Sequence, residues 1–238
     1  MATKAPNPVT LVFDIGGTGV KCMLLDSRGK PLTERLRVET PQPATPENLL
    51  LVMDDLAQKC KDKGFDRVSV GFPGVVKRGA TLTAHNLNPS WVGFELEKVL
   101  ARKWRRPVRV MNDAAIQGFG AIHGRGVELV ITLGTGFGSS LYTNGRLTPG
   151  LELAHHPWRK GKTYEEFLGK KGLAKAGRKR WNKLIEKAIA QLESTFNYDH
   201  LYIGGGNAVK IDFSLPKNVT RVPNDDGLLG GVALWRDW

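Results

Sequence analysis

Asp14-Ile15-Gly16-Gly17-Thr18-Gly19 joins two apolar, β-forming runs, Thr10 to Phe13 and Val20 to Leu25. Glycines at such a turn let the chain adopt positive φ and let a ligand approach the backbone. N–H groups exposed there can hold phosphate oxygens. Asp14, at the end of the first run, is placed to hold a divalent cation, directly or through water. Thr18 adds a hydroxyl donor and Lys21 a positive charge. The plainer alternative is an ordinary glycine hairpin with a capping Asp. A second glycine turn, Gly134-Thr135-Gly136-Phe137-Gly138, again joins strand to strand, and a third, Gly204-Gly205-Gly206, follows another apolar run. Asn112-Asp113 stands between a short apolar run and a helical pattern. Phosphoryl transfer needs these parts: donors around the phosphates, a metal to neutralise charge, and a base for the acceptor hydroxyl. Asp113 is the candidate base, because a carboxylate at a helix start behind a buried strand is held in a fixed position. N-capping is its competing role.

Other chemistries are disfavoured. There is no GxxxxGK[ST] phosphate loop. Gly134, Gly136 and Gly138 have the wrong spacing for a dinucleotide fingerprint, which also joins strand to helix. No HExxH motif is present, and the adjacent His155 and His156 are poorly spaced for two ligands on one helix face.

The elements that must position these groups follow from periodicity and punctuation. Strands are expected at 10–13, 20–25, 32–38, 67–72, 108–111, 128–133, 139–144 and 199–203. Helices are expected at 46–63 with Thr45 as N-cap, at 94–104, from Asn112 to about His123, at 164–173 and 179–196, with a short terminal helix in 227–238. Leu184, Ile185, Ala188, Ile189 and Leu192 form an apolar stripe that reads as core packing. Asn144-Gly145 reads as a hairpin turn. The hairpin with a glycine turn at 10–25 recurs at 128–143. Two related halves, each with a phosphate-binding turn, would face one another across a cleft.

Composition narrows the class. The 238 residues suffice for one large domain or two modest ones. The longest apolar runs are strand-length, which argues against a membrane span. The first ten residues lack an apolar signal core, so a cytoplasmic location is expected. Two cysteines, Cys22 and Cys60, are too few for a disulfide framework or a cysteine zinc site. The net charge is +12, and residues 159–187 hold eleven Lys or Arg against three Glu, a net of +8. That concentration favours a polyanionic partner, whether nucleic acid, phosphate polymer or nucleotide. A solvated basic helix face is the bland alternative.

Taken in order, these segments resemble a ROK-family sugar kinase of the actin/hexokinase superfamily, most closely the polyphosphate glucokinases. DIGGTGVK resembles the first phosphate motif. GFPGVV at 71–76 with Ala84-His85-Asn86-Leu87 resembles the sugar-contact segments. MNDA at 111–114 resembles the segment of the catalytic aspartate, and LGTGFGSS the second phosphate motif. Glu152-Leu153-Ala154-His155 resembles ExGH, and IGGG at 203–206 the adenosine or distal-phosphate motif. Ala154 departs from the motif's glycine. The cysteine-rich zinc segment of many relatives is missing after His155, as it is in the polyphosphate glucokinases, so no zinc is expected. The repressor members carry an N-terminal helix-turn-helix; here the first strand is expected within about ten residues of Met1, so a repressor role is not expected.

The resemblance implies an α/β chain with a two-lobed actin-like ATPase or ribonuclease H-like fold and a central cleft. Residues 1–111 would form a small N-terminal lobe, with 226–238 a candidate to return to it, and 112–225 a large C-terminal lobe. Gly74, Asn86, Asn112, Asp113, Glu152 and His155 would bind sugar hydroxyls. Glu165 or Glu166 would add a further contact, Glu165 being preferred by spacing. Gly16, Gly17, Thr18, Lys21, Gly134, Thr135, Gly136 and Gly138 would hold phosphates, and Gly204 to Gly206 a nucleotide or distal phosphates. Mg²⁺ near Asp14 would bridge donor oxygens while Asp113 takes the proton of the glucose 6-hydroxyl. The donor would be polyphosphate, ATP or both, and the assembly a homodimer. An ATP-only hexokinase for mannose, N-acetylglucosamine or a similar sugar is the alternative. A non-catalytic nucleic-acid binder using Lys170 to Lys187 and Trp181 is a more distant one, and a sugar sensor without catalysis is disfavoured by Asp113.

Overall fold

A computed structural model describes residues 7–60, 63–84, 87–148, 150–223 and 226–235. By their contacts the residues fall into two units, 1–120 with 227–237, and 121–226. The boundary lies nine residues beyond the expected 111/112, because the helix carrying Asp113 packs with the first unit.

In the first unit, β1 (Thr10–Ile15) has every residue buried except the half-buried Asp14. That is the profile of a central strand covered on both faces. It pairs antiparallel with β2 (Val20–Leu25), which pairs with β3 (Leu36–Val38). On its other side it runs parallel to β4 (Arg67–Phe72), which carries the short ribbon β5 (Val76–Lys77) and β6 (Ala80–Thr81) in the loop beyond it. The last strand is β7 (Val108–Asn112), giving the order β3-β2-β1-β4-β7.

Two helices supply the parallel crossovers. α1 (Pro46–Lys59) starts as expected: Thr45 accepts the Asn48 N–H and proline occupies the first position. It ends at Lys59 rather than Lys63, with the Cys60 N–H closing on Ala57. α2 is Leu96–Trp104. Leu49, Met53, Leu56 and Leu100 join Leu11, Phe13, Val68 and Val70 in one core. The opposite sheet face meets α3 (Asp113–Ala121) and the returning C-terminal segment. There Val12 and Leu25 pack on Leu228 and Val232. The Trp235 indole donates to Ser69 Oγ at 2.8 Å, and Ser69 donates to the Gly231 carbonyl at 2.6 Å. The guanidinium of Arg109 sits 4.5 Å from the Trp235 ring centre.

The second unit repeats the plan. β8 (Val127–Leu133) pairs antiparallel with β9 (Phe137–Thr143), and β10 (Arg146–Leu147) follows across the Asn144-Gly145 turn. A small ribbon, β11 (Pro157–Arg159) with β12 (Lys162–Thr163), leads into the helices. β13 (His200–Gly204) and β14 (Val219–Arg221) complete the order β10-β9-β8-β13-β14. Counted within each unit, both sheets read 3-2-1-4-5, the ribonuclease H-like order. In both, the glycine turn joins the first strand to the second.

The helix expected over 164–173 is two helices, α4 (Tyr164–Leu168) and α5 (Lys170–Ala176). Gly169 is extended between them, and a side chain there would press on the carbonyls of Glu165 and Thr135 at 2.9 and 3.1 Å. α6 (Arg178–Phe196) buries the predicted stripe against the sheet. Each of Leu184, Ile185, Ile189 and Leu192 contributes about 1.5–3 kcal/mol by leaving water. α7 (Asp226–Ala233) belongs to the first unit.

Candidate functional site

In the first unit the glycine turn closes on itself, the Gly16 N–H meeting the Gly19 carbonyl at 2.9 Å. The Thr40 hydroxyl donates to the Gly16 carbonyl at 2.5 Å and fixes the turn from below. Gly17 and Gly16 are half-buried, and Thr18 is exposed. Asp14 and Lys21 are cross-strand partners, and their side chains form an ion pair at 2.7 Å. From sequence alone these two residues have separate duties, a cation ligand and a phosphate contact. Arg37, which no sequence motif marks, is the register partner of Lys21 on β3 and lies over Gly19. Its guanidinium donates to the Thr18 carbonyl at 3.4 Å. Only the β2–β3 register reveals that second cation at the turn.

Register also places Asp113. Gly71 pairs with Asp14 on one side and Met111 on the other. The Asp113 Cα stands 3.5 Å from where a Cβ on Gly71 would lie. Aligned residues on adjacent parallel strands face the same side, about 5 Å apart. Asp14 and the start of α3 are therefore neighbours on one sheet face. The N-cap duty falls to Asn112: its Oδ1 accepts the Ala115 N–H at 3.2 Å and its amide donates to the Gly74 carbonyl at 3.1 Å. The Asp113 carboxylate accepts the adjacent Ala114 N–H at 2.8 Å. Gly74 is obligatory, because any Cβ would collide with the Thr83 carbonyl. Asn86 lies outside the described residues.

In the second unit, the turn at 134–138 is held from three directions. The Gly134 N–H meets the Gly136 carbonyl at 3.1 Å. The first N–H of α5, from Lys170, reaches the Gly134 and Thr135 carbonyls at 3.1 and 3.2 Å, which the break at Gly169 permits. Glu165 Oε2 accepts the Phe137 N–H at 3.1 Å, and a side chain on Gly136 would run into that carboxylate. Glu165 thus supports the turn. Glu166 closes a capping box with Thr163, and that backbone N–H, with Lys162 nearby, holds its carboxyl below the usual range.

The third turn packs directly on the second. Gly205 has φ of +87°, and a Cβ there would lie 2.5 Å from the Leu133 carbonyl oxygen. Asn207, buried behind it, takes the Leu133 carbonyl with its N–H and donates its amide to the Gly134 carbonyl at 3.0 Å. Lys210 donates to Asn207 Oδ1 at 2.9 Å. The Asn207 link was missed; its only signal is the amide directly after three glycines. Glu152 and His155 flank the buried Leu153 and Ala154 in a single 3-10 turn, both exposed, with the His155 N–H on the Glu152 carbonyl. Ser139 pins this turn to β9 by donating to the Leu151 carbonyl at 2.7 Å.

Among the described residues no group of three or more His, Cys, Asp or Glu could hold a metal ion. Among the described residues Asp14 is the carboxylate that flanks the first turn on β1. That suits Mg²⁺, which keeps several waters and is held by one or two carboxylates together with substrate phosphates. Trp181 is fully buried with its indole on the Leu168 carbonyl, so the aromatic contact expected of a nucleic-acid binder is not available. No helix among the described residues is long and apolar enough to cross a membrane.

Known proteins are similar to this chain in sequence and in fold. The polyphosphate glucokinase of Mycobacterium tuberculosis (strain H37Rv) is 31% identical over 92% of this chain and 88% of its own. That of Mycobacterium leprae is 31% identical over 92% of this chain and 72% of its own. The crystal structure of an inorganic polyphosphate/ATP-glucomannokinase from Arthrobacter sp. strain KM superposes with a TM-score of 0.82 at 31% identity, covering 96% of this chain and 100% of that one. A ROK glucokinase from Streptomyces griseus, crystallised with glucose and AMPPNP, shares the fold at 20% identity and a TM-score of 0.75, over 95% of this chain and 98% of its own. The model of the ROK family matches residues 10–157. With its glycine turns, its Asn-Asp helix start and its repeated sheet, this chain belongs to the ROK family.

Proposed function

We propose that the protein is a sugar kinase that transfers the terminal phosphoryl of polyphosphate or ATP to the 6-hydroxyl of glucose. The observation that carries this reading is the place of Asp113: at the first position of α3, beside Gly71, in the same row as Asp14 and the first glycine turn. A base and a phosphate-binding turn on one sheet face are what in-line attack by an alcohol requires. Asp113 takes the hydroxyl proton as the oxygen attacks. Asn112 and the Gly74 loop, joined by their hydrogen bond, orient the sugar together with Glu152 and His155. Gly16, Gly17, Thr18 and Lys21, with Gly134 to Gly138, hold the transferring and leaving phosphates. Mg²⁺ bound with the donor would neutralise phosphate charge, held through Asp14 once Lys21 turns to the phosphates.

The test measures glucose 6-phosphate formation with ATP and with polyphosphate side by side, with mannose and N-acetylglucosamine as competing acceptors. Turnover with polyphosphate supports the reading. Turnover with ATP alone, or preference for another sugar, favours an ATP-dependent ROK hexokinase. No phosphorylation of any sugar refutes both.

A further inference from the structure

We infer that the basic face of α5 and the start of α6 holds the outlying phosphates of a linear polyphosphate whose terminal phosphate lies at the second glycine turn. This rests on the donor reading above. Lys170, Lys171 and Lys175 on α5, and Lys179, Arg180 and Lys183 on α6, are all exposed. Among the described residues none of the six is ion-paired. A surface depression of about 410 Å³ opens at the junction of the two helices, lined by Arg178, Lys179, Arg180 and Lys183. Arg178 has one acidic neighbour, Asp212, at 3.4 Å.

The patch is continuous with the phosphate turns. α5 starts at the second turn, where the Lys170 N–H meets the Gly134 and Thr135 carbonyls. The start of α6 is tied to the third turn by a chain of contacts. Arg178 donates to the Lys210 carbonyl at 3.0 Å, Lys210 to Asn207, and Asn207 to the Gly134 carbonyl. The seven residues of α5 separate the turn from the depression by about 10 Å at 1.5 Å per residue. A phosphate chain extending beyond three units crosses that span.

Two further observations select the ligand. Lys171 with Lys175, and Lys179 with Lys183, are like charges at i,i+4, a spacing that disfavours the helix unless an anion lies over it. Single-stranded nucleic acid, the other polyanion of this shape, needs aromatic platforms for its bases. The one aromatic residue of α5 and the first turns of α6, Trp181, is fully buried. The face offers cations and no stacking surface.

The test is a Lys179→Glu, Arg180→Glu, Lys183→Glu variant, with the matching three Gln substitutions as a milder second variant, both checked by circular dichroism and thermal melting. Binding of long-chain sodium polyphosphate is measured by calorimetry without sugar, over a salt series. Affinity should fall at least tenfold in the Glu variant, with a shallower salt dependence than in the parent. In turnover, KM for long chains should rise at least tenfold more than KM for tripolyphosphate. Unchanged long-chain binding in both variants overturns the inference. So does single-stranded RNA of equal charge that binds as tightly and is lost in the same variants. Because binding is read without catalysis, the two claims separate. Polyphosphate that binds at the patch but is never used refutes only the donor reading. Polyphosphate that is used while the variants bind it undiminished refutes only the patch.

Discussion

Replacing Gly136 by alanine isolates the support that Glu165 gives the second turn. Gly136 is not in the left-handed region, so alanine meets no backbone penalty there. The obstacle is the Glu165 carboxylate, whose Oε2 lies inside contact distance of the new methyl and whose Cδ lies at 3.2 Å. Oε2 must retreat by on the order of 1 Å to restore normal contact. A flexible side chain does this at little steric cost, but the retreat breaks the 3.1 Å bond from the Phe137 N–H. A hydrogen bond to a charged group is worth about 1.5–3 kcal/mol. If the turn binds the donor, that converts to about 10- to 100-fold in kcat/KM for the donor at 1.36 kcal/mol per decade. The assay is steady-state kinetics with donor and sugar varied separately, on Gly136→Ala, Glu165→Ala and the double variant. The double variant should be no worse than Glu165→Ala alone, since the clash and the bond vanish together. A Gly136→Ala enzyme with parental donor kinetics, or losses that simply add, would refute the argument. A defect confined to KM for the sugar would return Glu165 to the sugar-contact role that the family resemblance implies.

Asp113→Ala should lower kcat at least about a hundredfold, the usual scale for a lost general base, with sugar binding by calorimetry less affected. Near-parental turnover would remove Asp113 from the mechanism. Gly205→Ala should cost more stability than Gly136→Ala, at least about 2–3 kcal/mol by denaturant titration, because the backbone of Leu133 cannot swing aside and φ is +87°. Burial and the neighbouring His123 hold the His200 imidazole below its ordinary value, against the opposing pull of Glu128. The unfolded chain then binds more protons just below the unfolded value of about 6.5, so stability drops as pH falls through that range. Thermal melts from pH 8 to 5 should show that decline, flattened in His200→Asn; equal slopes would discount the histidine.

The sequence by itself determined the strands flanking each glycine turn, because unbroken apolar runs beside glycine clusters leave few alternatives. It determined the capped start of α1, where Thr45-Pro46 carries a local signal, and the stripe of α6, which is periodic over many turns. Tertiary structure decided what depends on pairing between distant segments. The Asp14–Lys21 ion pair and the approach of Arg37 to Gly19 follow from strand register, which no local pattern encodes. The break at Gly169 sits inside a run that reads as one helix, and it exists because the Lys170 N–H finds acceptors on a turn more than thirty residues away. Glu165 and Asn207 were visible as residue types, but the Phe137 N–H and the Gly134 carbonyl they meet lie on another segment. Local spacing names a side chain's chemistry, whereas the chain's long-range contacts assign that chemistry its work.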